Sequence, residues 1–183
     1  MRVITGLARG RRLQTLKGDD VRPTADRVKE AVYSMIQFQT EGRRFLDLFA
    51  GCGQMGIEAL SRGARSAVFV DQSREAVEVI KSNLHTAGLE KNAKVLNVDF
   101  RAFLSQKNEV FDIAFLDPPY KTGLLEQALP LVAEKMAKGG LILCEHPVDE
   151  ELPETAGDFR KDKQRRYGKI LITVYRHKDV KDE

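Results

Sequence analysis

From residue 44 onward, the order of apolar and polar positions predicts strands that alternate with helices. Short runs rich in β-branched and aromatic residues are separated by segments whose apolar residues recur every three or four positions. The predicted strands are residues 44–49, 66–70, 93–98, 110–116 and 141–145; the predicted helices begin near Gln54, cover 73–87, run through Phe103 and cover 124–137. Pro130 should kink or split the last helix, and Gly139-Gly140 should end it. This order predicts an α/β fold with a mainly parallel, doubly wound sheet.

The beginning of the chain departs from this alternation. Residues 2–16 hold two short β-prone pieces around an arginine-rich stretch, which predicts a loose hairpin with a basic tip. A helix should follow, with Thr24 as its N-cap. Its apolar face would be formed by Val28, Ala31, Val32, Met35 and Ile36.

The end of the chain also has a pattern of its own. Residues 159–166 and 170–175 flank a Tyr167-Gly168 turn, and the second run alternates between apolar and polar residues. This predicts an antiparallel strand pair on the edge of the sheet. We therefore expect one structural domain, in which residues 1–40 form an N-terminal hairpin-plus-helix extension and residues 41–183 form the core domain.

The composition fits a single globular domain. The chain has 183 residues, 42% of them hydrophobic, and no apolar run approaches the roughly 18 residues of a membrane helix. The first residues lack the apolar core of a signal peptide, so we expect a cytoplasmic protein that binds no membrane. Cys52 and Cys144 have no second Cys or His at metal-ligand spacing. We expect both to be reduced thiols and expect no metal site.

The net charge of +3 conceals an uneven distribution. Residues 1–44 hold 10 Lys/Arg and 5 Asp/Glu, residues 45–159 hold 11 and 18, and residues 160–183 hold 9 and 4. Solvated surface charge is a sufficient explanation for a single basic run. Two basic segments on either side of an acidic centre instead favour a polyanionic partner such as a nucleic acid.

A glycine-rich loop follows the first predicted strand. Gly51, Gly53 and Gly56 match the G-x-G-x-x-G pattern, and Asp71 lies 20 residues beyond Gly51 at the end of the next strand. This spacing is typical of dinucleotide-binding dehydrogenases. A tight strand-to-helix turn without a ligand produces the same pattern, so the loop alone leaves both interpretations open.

Four aspartates favour a different cofactor. They lie at or near the carboxyl ends of the first four strands, where ligands bind in an open parallel sheet, and they are Asp47, Asp71, Asp99 and Asp117. Such a crevice repels a pyrophosphate and attracts a cation. S-adenosylmethionine carries a sulfonium and an ammonium group, offers ribose hydroxyls to an acidic acceptor and has no phosphate. The sequence therefore favours this methyl donor over a dinucleotide.

The fourth predicted strand ends in Asp117-Pro118-Pro119-Tyr120. This tetrapeptide places a hydrogen-bond acceptor beside a flat aromatic ring, an arrangement that suits the amino group of a planar base. The alternative is a turn in which Asp117 is the N-cap of the next helix and a proline occupies its first position.

Several segments together resemble the motifs of class I S-adenosylmethionine-dependent methyltransferases, which have a Rossmann-like fold. The segments are Arg22-Pro23-Thr24-Ala25-Asp26-Arg27-Val28-Lys29-Glu30, Asp47-Leu48-Phe49-Ala50-Gly51-Cys52-Gly53, the strand end at Asp71, Asp117-Pro118-Pro119-Tyr120 and Arg166-Tyr167-Gly168. In this combination they resemble the bacterial RsmD family, whose members methylate the exocyclic N2 of a guanine in small-subunit (16S) ribosomal RNA. The resemblance spans nearly the whole chain, and the first segment is its most family-specific part.

The resemblance implies a role for each residue of the cofactor site. Gly51 and Gly53 would let the backbone approach the methionine moiety, and Asp47 would hold its ammonium group or organise the loop. Asp71 would accept hydrogen bonds from the ribose hydroxyls, and Asp99 with Phe100 would contact the adenine, although Asp99 also fits a helix N-cap. The residues expected to bind the cofactor are Asp47, Phe49, Gly51, Gly53, Asp71, Gln72, Asp99, Phe100 and Asp117.

The tetrapeptide would carry the chemistry. The Asp117 carboxylate and the Pro118 carbonyl would accept the two amino protons, so that the nitrogen lone pair is aimed at the methyl carbon. Tyr120 would stack on the base, an interaction worth about 1–3 kcal/mol. The expected catalytic residues are Asp117, Pro118, Pro119 and Tyr120, and the cofactor product would be S-adenosylhomocysteine.

Basic residues at both ends are the candidates for contacts with the RNA backbone, which position the RNA without reading its sequence. They are Arg9, Arg11, Arg12, Arg22, Arg165 and Arg166. The expected partner is small-subunit ribosomal RNA, free or within an assembled ribosomal particle, and we expect the protein to be a monomer. Three alternatives stay open: an N6-adenine methyltransferase on DNA or RNA, a non-catalytic RNA-binding module and a nucleotide-dependent oxidoreductase.

Overall fold

A computed structural model describes residues 1–18, 23–107 and 109–181. Its described part contains an eight-stranded sheet with the order β3-β2-β1-β4-β5-β8-β7-β6. The strands are β1 (Arg44–Leu48), β2 (Ser66–Asp71), β3 (Ala93–Asn97), β4 (Phe111–Leu116), β5 (Met136–Pro147), β6 (Thr155–Ala156), β7 (Phe159–Tyr167) and β8 (Ile170–His177). The first five strands pair in parallel, and the last three are antiparallel. The predicted α/β fold with an antiparallel carboxyl-terminal pair is confirmed.

Helices connect the parallel strands. They are α1 (Pro23–Met35), α2 (Gln54–Ser61), α3 (Arg74–Ala87), α4 (Phe100–Leu104) and α5 (Leu124–Ala133), with a short 3₁₀ turn at Glu90–Asn92. The strand order reverses between β1 and β4, so a crevice opens between the loops that follow these two strands. No helix in the described ranges is long and apolar enough to span a membrane.

The parallel strands β1, β2 and β4 are largely buried, because each face of the sheet is covered there by helices or by the N-terminal segment. Phe45, Phe69 and Phe115 belong to a core cluster that also contains residues of α1, α2 and the N-terminal hairpin. Leu46 and Leu116 belong to a second cluster, which contains residues of α4 and α5. Burial on both faces explains why these strands appear in the sequence as continuous apolar runs.

The end of α5 and the start of β5 differ from the prediction. The helix continues through Pro130 without being split and ends at Ala133, whereas Gly139 and Gly140 lie inside β5. The register between β4 and β5 shifts between Phe111 and Ile113. A Cβ atom on Gly140 would lie only 2.8 Å from the Asp112 carbonyl oxygen, so this glycine permits a close approach of two strands. The prediction that the two glycines end the helix is wrong.

The N-terminal segment packs against the core. An isolated bridge joins Arg2 to Arg12, and the Val3 amide donates to the Arg11 carbonyl at 2.9 Å, as expected of a loose hairpin. Helix α1 begins at Pro23, so Thr24 lies within its first turn and the prediction that Thr24 is the N-cap is wrong. The division of the domain at residue 40 stays a prediction.

Two polar side chains of the core domain anchor the hairpin. The buried Glu58 carboxylate accepts the amides of Ile4 and Thr5 at 3.0 and 3.1 Å. The buried Asn83 accepts the Gln14 amide at 2.7 Å and donates to the carbonyl of Cys52 in the glycine loop at 2.9 Å. The hairpin is therefore fixed next to the loop that follows β1.

Candidate functional site

A cleft of about 830 Å³ lies over the carboxyl ends of the parallel strands. It is lined by most of the residues that the sequence singled out for cofactor binding and catalysis: Asp47, Phe49, Gly51, Asp71, Gln72, Asp99, Phe100, Asp117, Pro118, Pro119 and Tyr120. Gly53 is the one residue of that set that does not line the cleft. Residues of the N-terminal segment, including Met1 and Leu16, also contribute to its wall. The four strand-end aspartates therefore share one crevice.

The glycine loop turns sharply between β1 and α2. Gly53 precedes α2 with φ +80°, a left-handed conformation that glycine adopts without strain. Gly56 has a different reason to be glycine, because a Cβ atom there would lie 2.4 Å from the ring of Phe69 on β2. Phe49 also has a positive φ of 61°, which is uncommon for an aromatic residue, and its ring lies 5.1 Å from that of Phe100. The loop is thus held close to the sheet beside two aromatic rings.

Asp47 at the end of β1 is buried, with 2% of its surface exposed. Its carboxylate accepts the Gly56 amide at 2.9 Å, so the contact it makes organises the glycine loop. The pKa of Asp47 is raised to about 8, mainly because the side chain is buried. The nearby Asp71 also raises this pKa, and the hydrogen bond from the Gly56 amide lowers it. Of the two roles expected for Asp47, the structure shows the loop-organising one.

Asp71 at the end of β2 bridges two turns. One carboxylate oxygen accepts the Gly51 amide and the other accepts the Ser73 amide, both at 2.9 Å. Each oxygen keeps a second lone pair for a further donor. Asp71 is therefore fixed in the cleft by backbone contacts, and the neighbouring Gln72 is exposed.

Asp99 is the N-cap of α4, because its side chain accepts the Arg101 amide at 2.9 Å. The Arg101 guanidinium lies 4.4 Å above the centre of the Phe100 ring and 3.3 Å from the Asp99 carboxylate. The N-cap interpretation is confirmed. The contact of Asp99 and Phe100 with an adenine stays a prediction.

The tetrapeptide after β4 does not begin a helix. Helix α5 starts at Leu124 and its N-cap is Gly123, so the alternative in which Asp117 caps the next helix is wrong. Asp117 is partly buried, Pro118 is buried, and Tyr120 is 41% exposed with its ring at the cleft. A carboxylate and an aromatic ring therefore both line the cleft, and their roles in binding a base stay a prediction.

The described residues among those predicted to bind RNA lie outside the cleft. Arg9, Arg11 and Arg12 are exposed at the hairpin, and Arg165 and Arg166 are exposed on β7. Arg22 lies outside the described residues. Among the described residues, no group of three or more His, Cys, Asp or Glu side chains could hold a metal ion.

The comparisons with known proteins agree with this geometry. A family model described as "Conserved hypothetical protein 95" matches residues 1–176. The chain belongs to this family. It is 34% identical over 179 residues to ribosomal RNA small subunit methyltransferase D of Escherichia coli (strain K12), a match that covers 96% of this chain and 89% of that protein. It is 38% identical over 157 residues to the protein of the same name from Haemophilus influenzae, covering 83% and 81%.

A solved structure supports the same assignment. The protein yhhF of Escherichia coli superimposes with a TM-score of 0.84 at 32% identity, and the match covers 97% of each chain. The resemblance to the RsmD family is confirmed, and the fold is the Rossmann-like fold of methyltransferases.

Two side chains of this RsmD-family site were missed in the sequence. Gln54 lines the cleft, and its buried Oε1 has no hydrogen-bond partner among the described residues. Glu145 on β5 accepts the Tyr120 hydroxyl at 2.9 Å. Glu145 ends the predicted fifth strand, so extending the search for strand-end carboxylates by one strand would have found it. Gln54 had no sequence signal beyond its place after the glycine loop.

Proposed function

We propose that this protein transfers a methyl group from S-adenosylmethionine to the exocyclic N2 amino group of a guanine in small-subunit ribosomal RNA. The relatives named ribosomal RNA small subunit methyltransferase D support an rRNA methyltransferase. The observation that carries the proposal is the single cleft in which the strand-end carboxylates meet Asp117-Pro118-Pro119-Tyr120.

The cleft fits a cationic cofactor. Asp71 and Asp99 lie at the ends of two adjacent strands, and the unpartnered Gln54 Oε1 is a buried acceptor that an ammonium group would satisfy. Asp71 would hold the ribose hydroxyls, and Phe49 and Phe100 would flank the adenine. The cofactor supplies an electrophilic methyl group when it is bound. A pyrophosphate would face these carboxylates at a large electrostatic cost, which disfavours a dinucleotide.

The residues after β4 would prepare the nucleophile. An exocyclic amino nitrogen is weak because its lone pair is delocalised into the ring of the base. The Asp117 carboxylate and the Pro118 carbonyl would accept its two protons and orient the lone pair, and Tyr120 would stack on the base. Most of the acceleration would come from holding two reactants in line. Cys52 lines the cleft, but burial raises the pKa of its thiol and so disfavours a thiolate nucleophile. The buried Cys144 thiol, whose pKa is raised by burial, supports that reading.

The choice of guanine N2 over adenine N6 rests on the resemblance to the RsmD family, because the same two acceptors would bind either amino group. The target base must leave its stack to reach the cleft, which costs a few kcal/mol and favours a nucleotide in an RNA loop. The exposed arginines of the hairpin and of β7 would hold the RNA backbone.

A methylation assay tests the proposal. The protein is incubated with isotopically labelled S-adenosylmethionine and with either small-subunit particles or free ribosomal RNA. Digestion and mass spectrometry should yield N2-methylguanosine at one position, and the two substrates show whether assembly is required. Labelled N6-methyladenosine would instead support the adenine alternative, and binding of RNA without methyl transfer would support a non-catalytic module.

A further inference from the structure

Glu145 lies beside Asp117 at the carboxyl edge of the sheet. Strands β4 and β5 are parallel, and Leu116 pairs with Cys144. The residue after Leu116 is Asp117 and the residue after Cys144 is Glu145, so these two residues are neighbours where β4 ends. On its other side Glu145 pairs with Ile172 of β8, so strand pairing fixes its backbone in the sheet.

The Glu145 carboxylate makes its contact with Tyr120. The Tyr120 hydroxyl donates to Glu145 Oε1 at 2.9 Å, although the two residues are 25 positions apart. Burial raises the pKa of Glu145, and the hydrogen bond from Tyr120 lowers it. Glu145 is not part of the cleft wall, whereas Tyr120 is. Any influence of Glu145 on a ligand in the cleft would therefore pass through the tyrosine.

The residue that follows Tyr120 is attached by an exposed ion pair. Lys121 has φ +57°, an uncommon conformation for a residue with a side chain, and its ammonium group pairs with Asp149 at 2.6 Å. That ion pair is exposed on both sides, so it adds little stability. The bond to the partly buried Glu145 is the better candidate for fixing the ring.

We propose that Glu145 is a positioning residue for the target base: its carboxylate holds the Tyr120 hydroxyl so that the exposed ring is already oriented for stacking beside Asp117. This role rests on the proposed function. A ring that is ordered before the base binds loses less rotational freedom on binding, and the hydrogen bond to Glu145 contributes to that order. The effect should appear in the use of RNA and leave cofactor binding unchanged.

A double-mutant cycle tests the link. Glu145→Ala and Tyr120→Phe should each lower kcat/KM for RNA about tenfold, because each removes a hydrogen bond to a charged acceptor. The double variant should be no worse than either single one, since all three lack the same bond. Glu145→Gln should restore most of the activity, because its amide oxygen still accepts the hydroxyl proton. Asp149→Ala, which removes the exposed ion pair on the same segment, is the matched control and should stay near wild type.

Ring order supplies a readout that does not depend on turnover. In NMR spectra of protein with ¹³C-labelled tyrosine, Glu145→Ala should increase the mobility of the Tyr120 ring. The signals of Tyr33, Tyr167 and Tyr175 should be unchanged, and calorimetry should give an unaltered affinity for S-adenosylmethionine.

Three results would overturn the positioning role while the proposed function stands. They are additive losses of kcat/KM in the cycle, unchanged mobility of the Tyr120 ring in Glu145→Ala, and a loss of cofactor affinity in that variant. A wild-type protein that methylates no RNA would remove both the proposed function and the base-positioning role, even if the ring loosens in the variant.

Discussion

The two halves of the cleft are built differently. At the ends of β1, β2 and β3, the carboxylates of Asp47, Asp71 and Asp99 each accept backbone amides of their own or the adjacent turn. At the ends of β4 and β5, a hydrogen bond joins two side chains, from the Tyr120 hydroxyl to the Glu145 carboxylate. Backbone contacts make the first half, the cofactor half, rigid and local. The second half, the base half, depends on a contact between a loop and a strand that are distant in sequence, so the two halves should respond separately to mutation.

The largest expected effect is in the base half. Asp117→Ala should lower methyl transfer about 10³-fold, because one of the two acceptors that orient the amino nitrogen is lost. Single-turnover kinetics with labelled S-adenosylmethionine measures the loss. The matched control is Asp112→Ala, which removes a carboxylate at the opposite end of β4 that pairs with Arg44, and it should act on stability only. Turnover of Asp117→Ala within tenfold of wild type would refute the assignment.

A pH effect on stability should arise in the cofactor half. The folded pKa of Asp47 is about 8, above the ordinary value of 3.8, so the group stays protonated in the folded protein while it ionises in the unfolded chain. The contribution of Asp47 to the free energy of unfolding is fully present below about pH 4 and is lost as the pH rises through 8. Between pH 5 and pH 8, the free energy of unfolding measured with denaturant should fall more in wild type than in Asp47→Asn. The difference between the two falls should be at most about 4 kcal/mol. Parallel curves for the two proteins would contradict the raised pKa.

Asp71→Asn should weaken cofactor binding about tenfold or more. The amide keeps one acceptor oxygen, but its nitrogen cannot accept the second of the Gly51 and Ser73 amides, so one backbone donor loses its partner. Calorimetry with S-adenosylmethionine measures the loss, and RNA affinity in a filter-binding assay should stay constant. Equal losses for RNA and cofactor would mean that the two halves are not separate.

The smallest effect per residue should come from the exposed arginines. Charge reversal at Arg11 and Arg12 should weaken RNA binding and make its salt dependence shallower, because fewer counterions are released. Methyl transfer at saturating RNA should be preserved. An unaltered salt slope would place the backbone contacts elsewhere, and the same reversal at Arg165 and Arg166 shows whether β7 is that place.

The two halves also differ in how well the sequence predicts them. The apolar runs that end in Asp47, Asp71 and Asp117 located the strand ends, because parallel strands buried on both faces leave an uninterrupted signal. The contact of Glu145 with Tyr120 leaves no periodic trace, since it joins a strand residue to a loop residue 25 positions away. Gly139-Gly140 was assigned to a helix end because local rules cannot register that Gly140 lies against the Asp112 carbonyl of the neighbouring strand.

The most direct test of this account is calorimetric titration of S-adenosylmethionine and of NAD into wild type and Asp117→Ala. If the acidic half of the cleft binds a cationic methyl donor and Asp117 serves the base, S-adenosylmethionine should bind both proteins with affinities within about twofold, since Asp117 would add little to cofactor binding. NAD should bind neither. Binding of NAD without S-adenosylmethionine, or loss of S-adenosylmethionine binding in Asp117→Ala, would contradict the account.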